Sequence, residues 1–397
     1  MLAAAPPPRL ELSLSPLSGP FAHADNKHDG PMRWTADHVR AIRTAAIAVT
    51  PQIRADDFSR VSPNFDLWDA WPIQEPGGLP AILRDDSTLW MALAAPCFPD
   101  PDERHAHARI HLLKRLGDAW VHLGPAMPDG FSPGSREWSG SAVLDAGTNE
   151  VSLYFTAAGR RAEAEFTFEQ RIFGARATLD LSGSGPRLIG WRDLAEVVEH
   201  DPAYYMASDE GRGSVGTIKA FRDPAFFVDP ADGANYLFFA GSAAHSTSDY
   251  NGVVGVARAD AKGRAGWRTL APIVSAEGLN NELERPHVVV SGDLYYLFWS
   301  TQSHVFDAAG PVGPTGLYGV VSERIAGPWR PLNATGLVFA NPPEAPEQAY
   351  SWLVLPNLRV ISFVDNWGNN GGERKFGATF APELRLVLDG DEARLYG

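Results

Sequence analysis

An all-β fold, either a β-propeller or a large β-sandwich, is what this sequence predicts. Three observations carry the prediction. From about residue 60 onward, short apolar runs recur at fairly even spacing and are split by polar turns. Gly (38 residues) and Pro (32) are plentiful, as a chain with many turns requires. Helical spacing is convincing at one place only, so an alternating β/α architecture is disfavoured.

The elements follow in chain order. Residues 1–33 contain Pro, Gly and His and read as an extended arm. A helix is predicted next. Val39, Ile42, Ala46 and Val49 recur at helical spacing, Thr35 can cap the start, and Pro51 ends the run. The strand-like runs then include 89–96, 109–116, 150–157, 177–183, 235–243, 252–259, 287–300, 316–322 and 358–365. Turn segments such as "PADGAN" and "SGD" lie between apolar runs and mark hairpins. No strict repeat is visible, and the WD dipeptide occurs once, which disfavours a WD-repeat array. No linker divides the strand region. One domain over residues 34–397 is the expectation, although length alone allows more.

Composition narrows the function classes. Hydrophobic residues make up 44% of the 397, enough for a large core. Aromatics reach 11%, with 12 Trp, which suits sugar platforms or many packed strands. A formal net charge of -14 argues against nucleic acid and anionic membranes as partners. The single cysteine, Cys97, cannot form an internal disulfide. No apolar run is long enough to span a bilayer, and "MLAAAPPPRLELSLSP" is not a standard signal peptide. His23 and His28 lie in the arm, no Cys-x-x-Cys pair or His-Glu-x-x-His motif occurs, and no Gly-x-Ser-x-Gly elbow or phosphate loop is present.

Four motifs set an acid beside an aromatic, an Arg or a Pro. They are "WDAWP" (Asp69), "EWSGSA" (Glu137, Trp138, Ser139), "FRDP" (Arg222, Asp223) and "ELERPH" (Glu282, Glu284, Arg285, His287). Taken singly, each has an ordinary explanation: a strand end, a turn with a local ion pair, a solvated strand edge. Together they supply what glycoside chemistry needs. One carboxyl attacks or activates, and another protonates the leaving oxygen. Asp69 between tryptophans is expected to be partly desolvated. Glu282 and Glu284, two apart, would share a face on a strand and couple. Arg222 and Arg285 can hold a neighbouring carboxylate ionised.

These four blocks resemble, in order and spacing, those of glycoside hydrolase family 68, which holds levansucrases, inulosucrases and bacterial β-fructofuranosidases. "GLYG" (316–319) and "QAYSWLVLPN" (348–357) add to the match, which runs over about residues 30 to 390. The resemblance implies a five-bladed β-propeller with a central funnel-shaped pocket. It implies a retaining double displacement on sucrose, with fructan or sugar acceptors, and no cofactor. Asp69 would be the nucleophile, Glu284 the acid/base, and Asp223 a stabiliser of the transition state. Trp68, Trp138 and Ser139 would line the fructosyl subsite, with Ser139 holding Asp69. Arg222, Glu282, Arg285 and Tyr350 would contact the sugar pair, mainly on the glucosyl side.

The chain departs from the family pattern at three places. Asn281-Glu282 replaces the common Asp-Glu, and that Asp is a ligand in calcium-binding members, so a structural calcium is not expected, unless the Asn oxygen still ligates. The segment "YLFWSTQSH" is longer than its counterpart, leaving Gln302 or His304 for the acceptor subsite. Some relatives place an Arg late in the chain, where "DNWGNN" offers Trp367. The rivals to a levansucrase-type transferase are a β-fructofuranosidase or inulosucrase of the same fold giving mainly hydrolysis or short oligosaccharides, and a non-catalytic sugar-binding propeller. An extracellular or periplasmic location follows only from where sucrose usually is. A monomer or weak homo-oligomer is expected.

Overall fold

The computed structural model describes residues 30–43, 47–183, 185–207, 218–259, 266–368 and 374–396. His23, His28 and nearly all of the predicted arm lie outside them.

Strands dominate and fall into five successive antiparallel groups. The first holds Phe65–Gln74, Thr88–Pro96, Arg109–Leu116 and Ala119–Pro125. The second holds Arg136–Asp145, Glu150–Ala158, Gln170–Asp180 and Arg187–Val198. The third holds Phe221–Val228, Asn235–Ser242, Gly252–Ala259 and Trp267–Ser275. The fourth holds Glu284–Ser291, Leu294–Thr301 and Gly316–Ser322, the last paired with both Arg330–Pro331 and Leu337–Ala340. The fifth holds Ala349–Val354, Arg359–Val364, Leu384–Asp389 and Glu392–Leu395. A short parallel pairing, Ile73 with Ala142 and Gln74 with Val143, joins the first two groups into one hydrogen-bonded sheet.

The leading strands of the five groups touch in a closed cycle. Each contacts the next, and Ala349–Val354 returns to Phe65–Gln74. Turn chemistry makes the meanders possible. Gly292 sits at φ 60 between Ser291 and Leu294, a left-handed conformation that costs glycine nothing.

The N-terminal boundary differs from the sequence expectation. Met32 and Arg33, placed in the arm, pair in parallel with Val274 and Ser275 at the edge of the third group. Trp34 follows and is buried against Trp299, Phe306 and Tyr318, with centroids at 5.5, 5.7 and 4.9 Å. Its indole N–H donates to the Thr335 carbonyl at 2.9 Å. Burying a full indole this way favours docking, because apolar area leaves water and the polar N–H keeps a partner.

The helix is also shorter than expected. It spans Ala36–Arg40, with the Thr35 N–H bonded to His38 Nδ1 at 3.0 Å. Ala46 lies outside the described residues. Val49 is not helical: it bridges in parallel with Ala340, so sheet-edge pairing overrides the apolar period.

Candidate active site

Four of the five leading strands carry a bulge centred on one residue with positive φ. These residues are Asp69 (φ 46), Asp223 (φ 63), Arg285 (φ 47) and Ser351 (φ 62). The remaining strand bulges between Trp138 and Gly140. A regular strand sends successive side chains to opposite faces, and a bulge breaks that alternation. Here it brings consecutive residues to one cavity. Trp68 and Asp69, Trp138 and Ser139, Arg222 and Asp223, Glu284 and Arg285, and Tyr350 and Ser351 all line it. Its volume is about 490 Å3. Left-handed backbone costs an Arg or Ser roughly 1–2 kcal/mol, so these bulges are held by their surroundings.

The hydrogen bonds sort the residues by task. Ser139 Oγ donates to Asp69 Oδ2 at 2.6 Å, which occupies one oxygen of that half-buried carboxylate. Glu284 is held at both oxygens. Arg222 Nη2 donates to Oε1 at 2.8 Å, and the Tyr350 hydroxyl donates to Oε2 at 2.5 Å. Arg222 also lies 3.5 Å from Glu282 Oε2 and, through Nε, 3.8 Å from Asp223 Oδ2. A fully buried Gln170 oxygen braces the same guanidinium at 3.3 Å and accepts from the Phe221 N–H at 3.0 Å.

Asp69, Asp223, Glu282 and Glu284 share this cavity with Arg222 and Arg285. Burial pushes the Asp223 carboxyl up, and the nearby charges of Glu284 and Asp69 add to it, against the opposing pull of Arg222 and Arg285. Burial raises Glu282 as well, with repulsion from Glu284 next. Asp223 and Glu282 thus hold their protons to higher pH than ordinary carboxyls do.

All twelve residues expected from the sequence line this cavity: Trp68, Asp69, Trp138, Ser139, Arg222, Asp223, Glu282, Glu284, Arg285, Gln302, His304 and Tyr350. Two of them sit differently from the reasoning that found them. Glu282 is not on a strand, since the strand begins at Glu284. A turn in which the Glu282 N–H donates to Asn280 Oδ1 at 2.8 Å delivers it instead. Arg285, expected to reach sugar, turns its guanidinium into the wall. It donates to the Ala70 carbonyl (2.8 Å) and to Ser351 Oγ (3.0 Å), while its backbone N–H meets Asp223 at 3.3 Å. Gln302 and His304 both reach the cavity, Gln302 half-buried and His304 exposed.

Other motif residues are structural. Glu137 is buried, accepts the Ile110 N–H at 2.8 Å, and is raised by burial to about 7. Asp66 pairs with Arg60 at 2.8 Å. His287 is buried and held below its usual range by desolvation; its ring bonds the Arg285 carbonyl and the Val354 N–H, both at 2.8 Å.

Sequence reading missed a second group of charges lining the cavity. Asp102, Arg104, Asp365 and Arg374 line it in alternating charge. Arg374 donates to both Asp102 oxygens at 2.7 Å and to Asp365 at 3.0 Å. Arg104 joins Asp102 at 3.1 Å and stacks over Phe376, its guanidinium 4.1 Å from that centroid and 5.6 Å from that of Trp68. Arg374 thus puts a late arginine at the site, whereas Trp367 packs edge-on against Phe58 at 4.8 Å. No local signal marks these residues, because their partners come from opposite ends of the chain.

The levansucrase/invertase family profile matches residues 24–251 and 245–395. The chain belongs to glycoside hydrolase family 68. Levansucrase Lscbeta of Pseudomonas syringae pv. actinidiae is 32% identical over 96% of this chain and 93% of its own length. The levansucrase of Rahnella aquatilis is 31% identical over 91% and 94%. Among solved structures, an inulosucrase from Halalkalicoccus jeotgali bound to kestose superposes with TM-score 0.85 at 33% identity, covering 93% of this chain and 96% of that one. A β-fructofuranosidase catalytic domain from Microbacterium saccharophilum K-1 gives 0.81 at 25% identity, covering 95% and 92%. The protein is an enzyme of levansucrase type, a fructosyltransferase of this family.

Proposed function

We propose that this enzyme cleaves sucrose by a retaining double displacement at Asp69 and Glu284. The observation that carries the reading is the pairing of roles in one cavity. One oxygen of Asp69 is held by Ser139, and Glu284 is held by Arg222 and Tyr350 from two other strands. In the first step the free Asp69 oxygen attacks the fructosyl anomeric carbon. The bond to the glycosidic oxygen breaks, and that oxygen takes the Glu284 proton as glucose leaves. In the second step an acceptor hydroxyl returns its proton to Glu284 and its oxygen displaces Asp69. Asp223, buried beside Arg222 and within electrostatic reach of both carboxyls, in its ionised form stabilises positive charge developing on the fructosyl ring. Trp68 and Trp138 offer apolar faces to the sugar.

Water, sucrose or a growing fructan can all serve as acceptor in this scheme. The choice falls to the other groups lining the cavity, among them Gln302, His304, Asp102 and Arg374. The cyclic contact of the five leading strands supports reading the antiparallel groups as the blades of a five-bladed propeller, with the chain from Met32 onward as one catalytic unit. We place its work outside the cytoplasm, where sucrose is met, as a monomer or weak homo-oligomer.

Incubation with sucrose tests the reading. Free glucose should exceed free fructose, with the difference recovered as polymer or short oligosaccharides. Equal release of the two at every sucrose concentration rejects transfer, and release of neither rejects sucrose as substrate.

A further inference from the structure

Lys219 is buried beside the third and fourth groups. Its ammonium donates to Asn251 Oδ1 at 3.0 Å, to Asn281 Oδ1 at 3.0 Å, and to the backbone carbonyl of Asp249. An ammonium has three N–H donors and no acceptor, so three oxygens satisfy it. All three are uncharged. Carbonyl and amide oxygens are the ligands a hard cation would choose, yet calcium sites combine them with carboxylates. Among the described residues, no three His, Cys, Asp or Glu side chains converge as a metal site.

Asn281 is committed at both ends. Its oxygen accepts from Lys219, and its Nδ2 donates to the Ile218 carbonyl at 2.9 Å. A divalent ion at Asn281 Oδ1 would have to displace the ammonium or sit against its charge. The donor set does not fit calcium.

We propose that the Lys219 ammonium is the built-in cation of this oxygen cluster, replacing a dissociable metal with a covalently attached charge. The cluster joins three chain segments. Asp249 and Asn251 precede the Gly252–Ala259 strand, and the Lys219 carbonyl accepts from Gln170 Nε2 at 2.9 Å. Asn281 leads directly into Glu282, which lies 3.5 Å from Arg222. The turn that delivers Glu282 to the cavity is therefore anchored by a side chain that no chelator can remove.

Thermal unfolding of the full chain tests this without reference to the reaction. In millimolar calcium chloride and in EDTA the wild-type midpoints should coincide. A calcium site filled at about a hundredfold its dissociation constant would instead separate them by several degrees. Lys219→Met should melt several degrees lower in both buffers, because Asn251 and Asn281 lose their donor. Asn281→Asp gives the ammonium a charged partner but loses the donor to the Ile218 carbonyl, and its midpoint should be the same in calcium and in EDTA. A wild-type midpoint that falls in EDTA and recovers with calcium overturns the proposal. So does an Asn281→Asp gain that appears only with calcium, or a Lys219→Met protein that melts like wild type.

Discussion

Replacing Ser139 by Ala removes one hydroxyl from a residue that is only 1% exposed, and with it the 2.6 Å hydrogen bond to Asp69 Oδ2. Two consequences oppose each other. The bond is strongest while Asp69 is charged and weakens as the carboxylate becomes a fructosyl ester. A charge-assisted bond is worth roughly 1.5–3 kcal/mol and a neutral one about 0.5–1.5. Its loss should therefore favour attack by about 1 kcal/mol, a five-fold gain on the scale of about 1.4 kcal/mol per decade. Against this, Asp69 loses the side-chain hydrogen bond that aims it among the described residues, on a backbone already held at φ 46. Misplacing a reacting group by about 1 Å costs on the order of a hundred-fold. Orientation wins, and kcat for glucose release should fall about ten- to a hundred-fold. KM should change little, since Ser139 acts on the nucleophile. Initial rates of glucose release across a sucrose series measure both constants, and a urea midpoint checks the fold. Ser139→Thr keeps the hydroxyl and should recover part of the loss. A Ser139→Ala enzyme with normal or raised kcat and normal stability would show that Ser139 does not aim Asp69.

Asp69→Ala and Glu284→Ala should each lower kcat by roughly a thousand-fold or more while the urea midpoint stays near wild type; turnover within ten-fold of wild type in either variant removes that residue from its role. Asp223 is raised by burial, and by Glu284 and Asp69, to about 7, above its unfolded value of 3.8. Its neutral form therefore gives stability that is complete below about pH 4 and is lost as pH rises towards 7. Asp223→Asn lacks this loss, so its stability relative to wild type should increase from pH 5 to pH 8, and a constant difference refutes the shift. Trp34→Ala should cost about 3–5 kcal/mol in urea unfolding, because a buried indole leaves a cavity at the junction of the third and fourth groups. Arg374→Ala breaks a half-exposed pair with Asp102, worth less than about 1 kcal/mol, and a pair with the buried Asp365, whose loss costs more. It should change the ratio of transfer to hydrolysis more than the rate of sucrose cleavage, and an unaltered product ratio excludes Arg374 from acceptor handling.

The residues proposed as catalytic stand out in the sequence because each lies in a short, chemically unusual context. Asp69 stands between Trp68 and Trp71, Asp223 follows Arg222, and Glu284 precedes Arg285. The strand content was legible for the same reason, since apolar runs and turn residues act over a few positions. The five-fold recurrence was not. It is a recurrence of backbone shape, a bulge at Asp69, near Ser139, and at Asp223, Arg285 and Ser351, carried by five different residue pairs. A repeat of conformation without a repeat of side chains leaves no period to find.

Charge reading also reached its limit at the same place. The sequence shows that Arg285 is near Glu284, but not that its guanidinium bonds Ala70 and Ser351 and is spent on the wall. It shows Asn281 but not the ammonium of Lys219 that faces it. It shows Asp102 and Arg374, 272 positions apart, as unrelated surface charges.

By itself, then, the sequence determined the strand-rich fold, the three carboxyls and the aromatic walls, because local patterning and short motifs encode them. Tertiary structure decided which side chains share the cavity, which arginines face sugar or wall, and which cation fills the Asn281 cluster. Those outcomes depend on strand bulges and on contacts between groups far apart in the chain, and their energies exist only once the ring of sheets has closed.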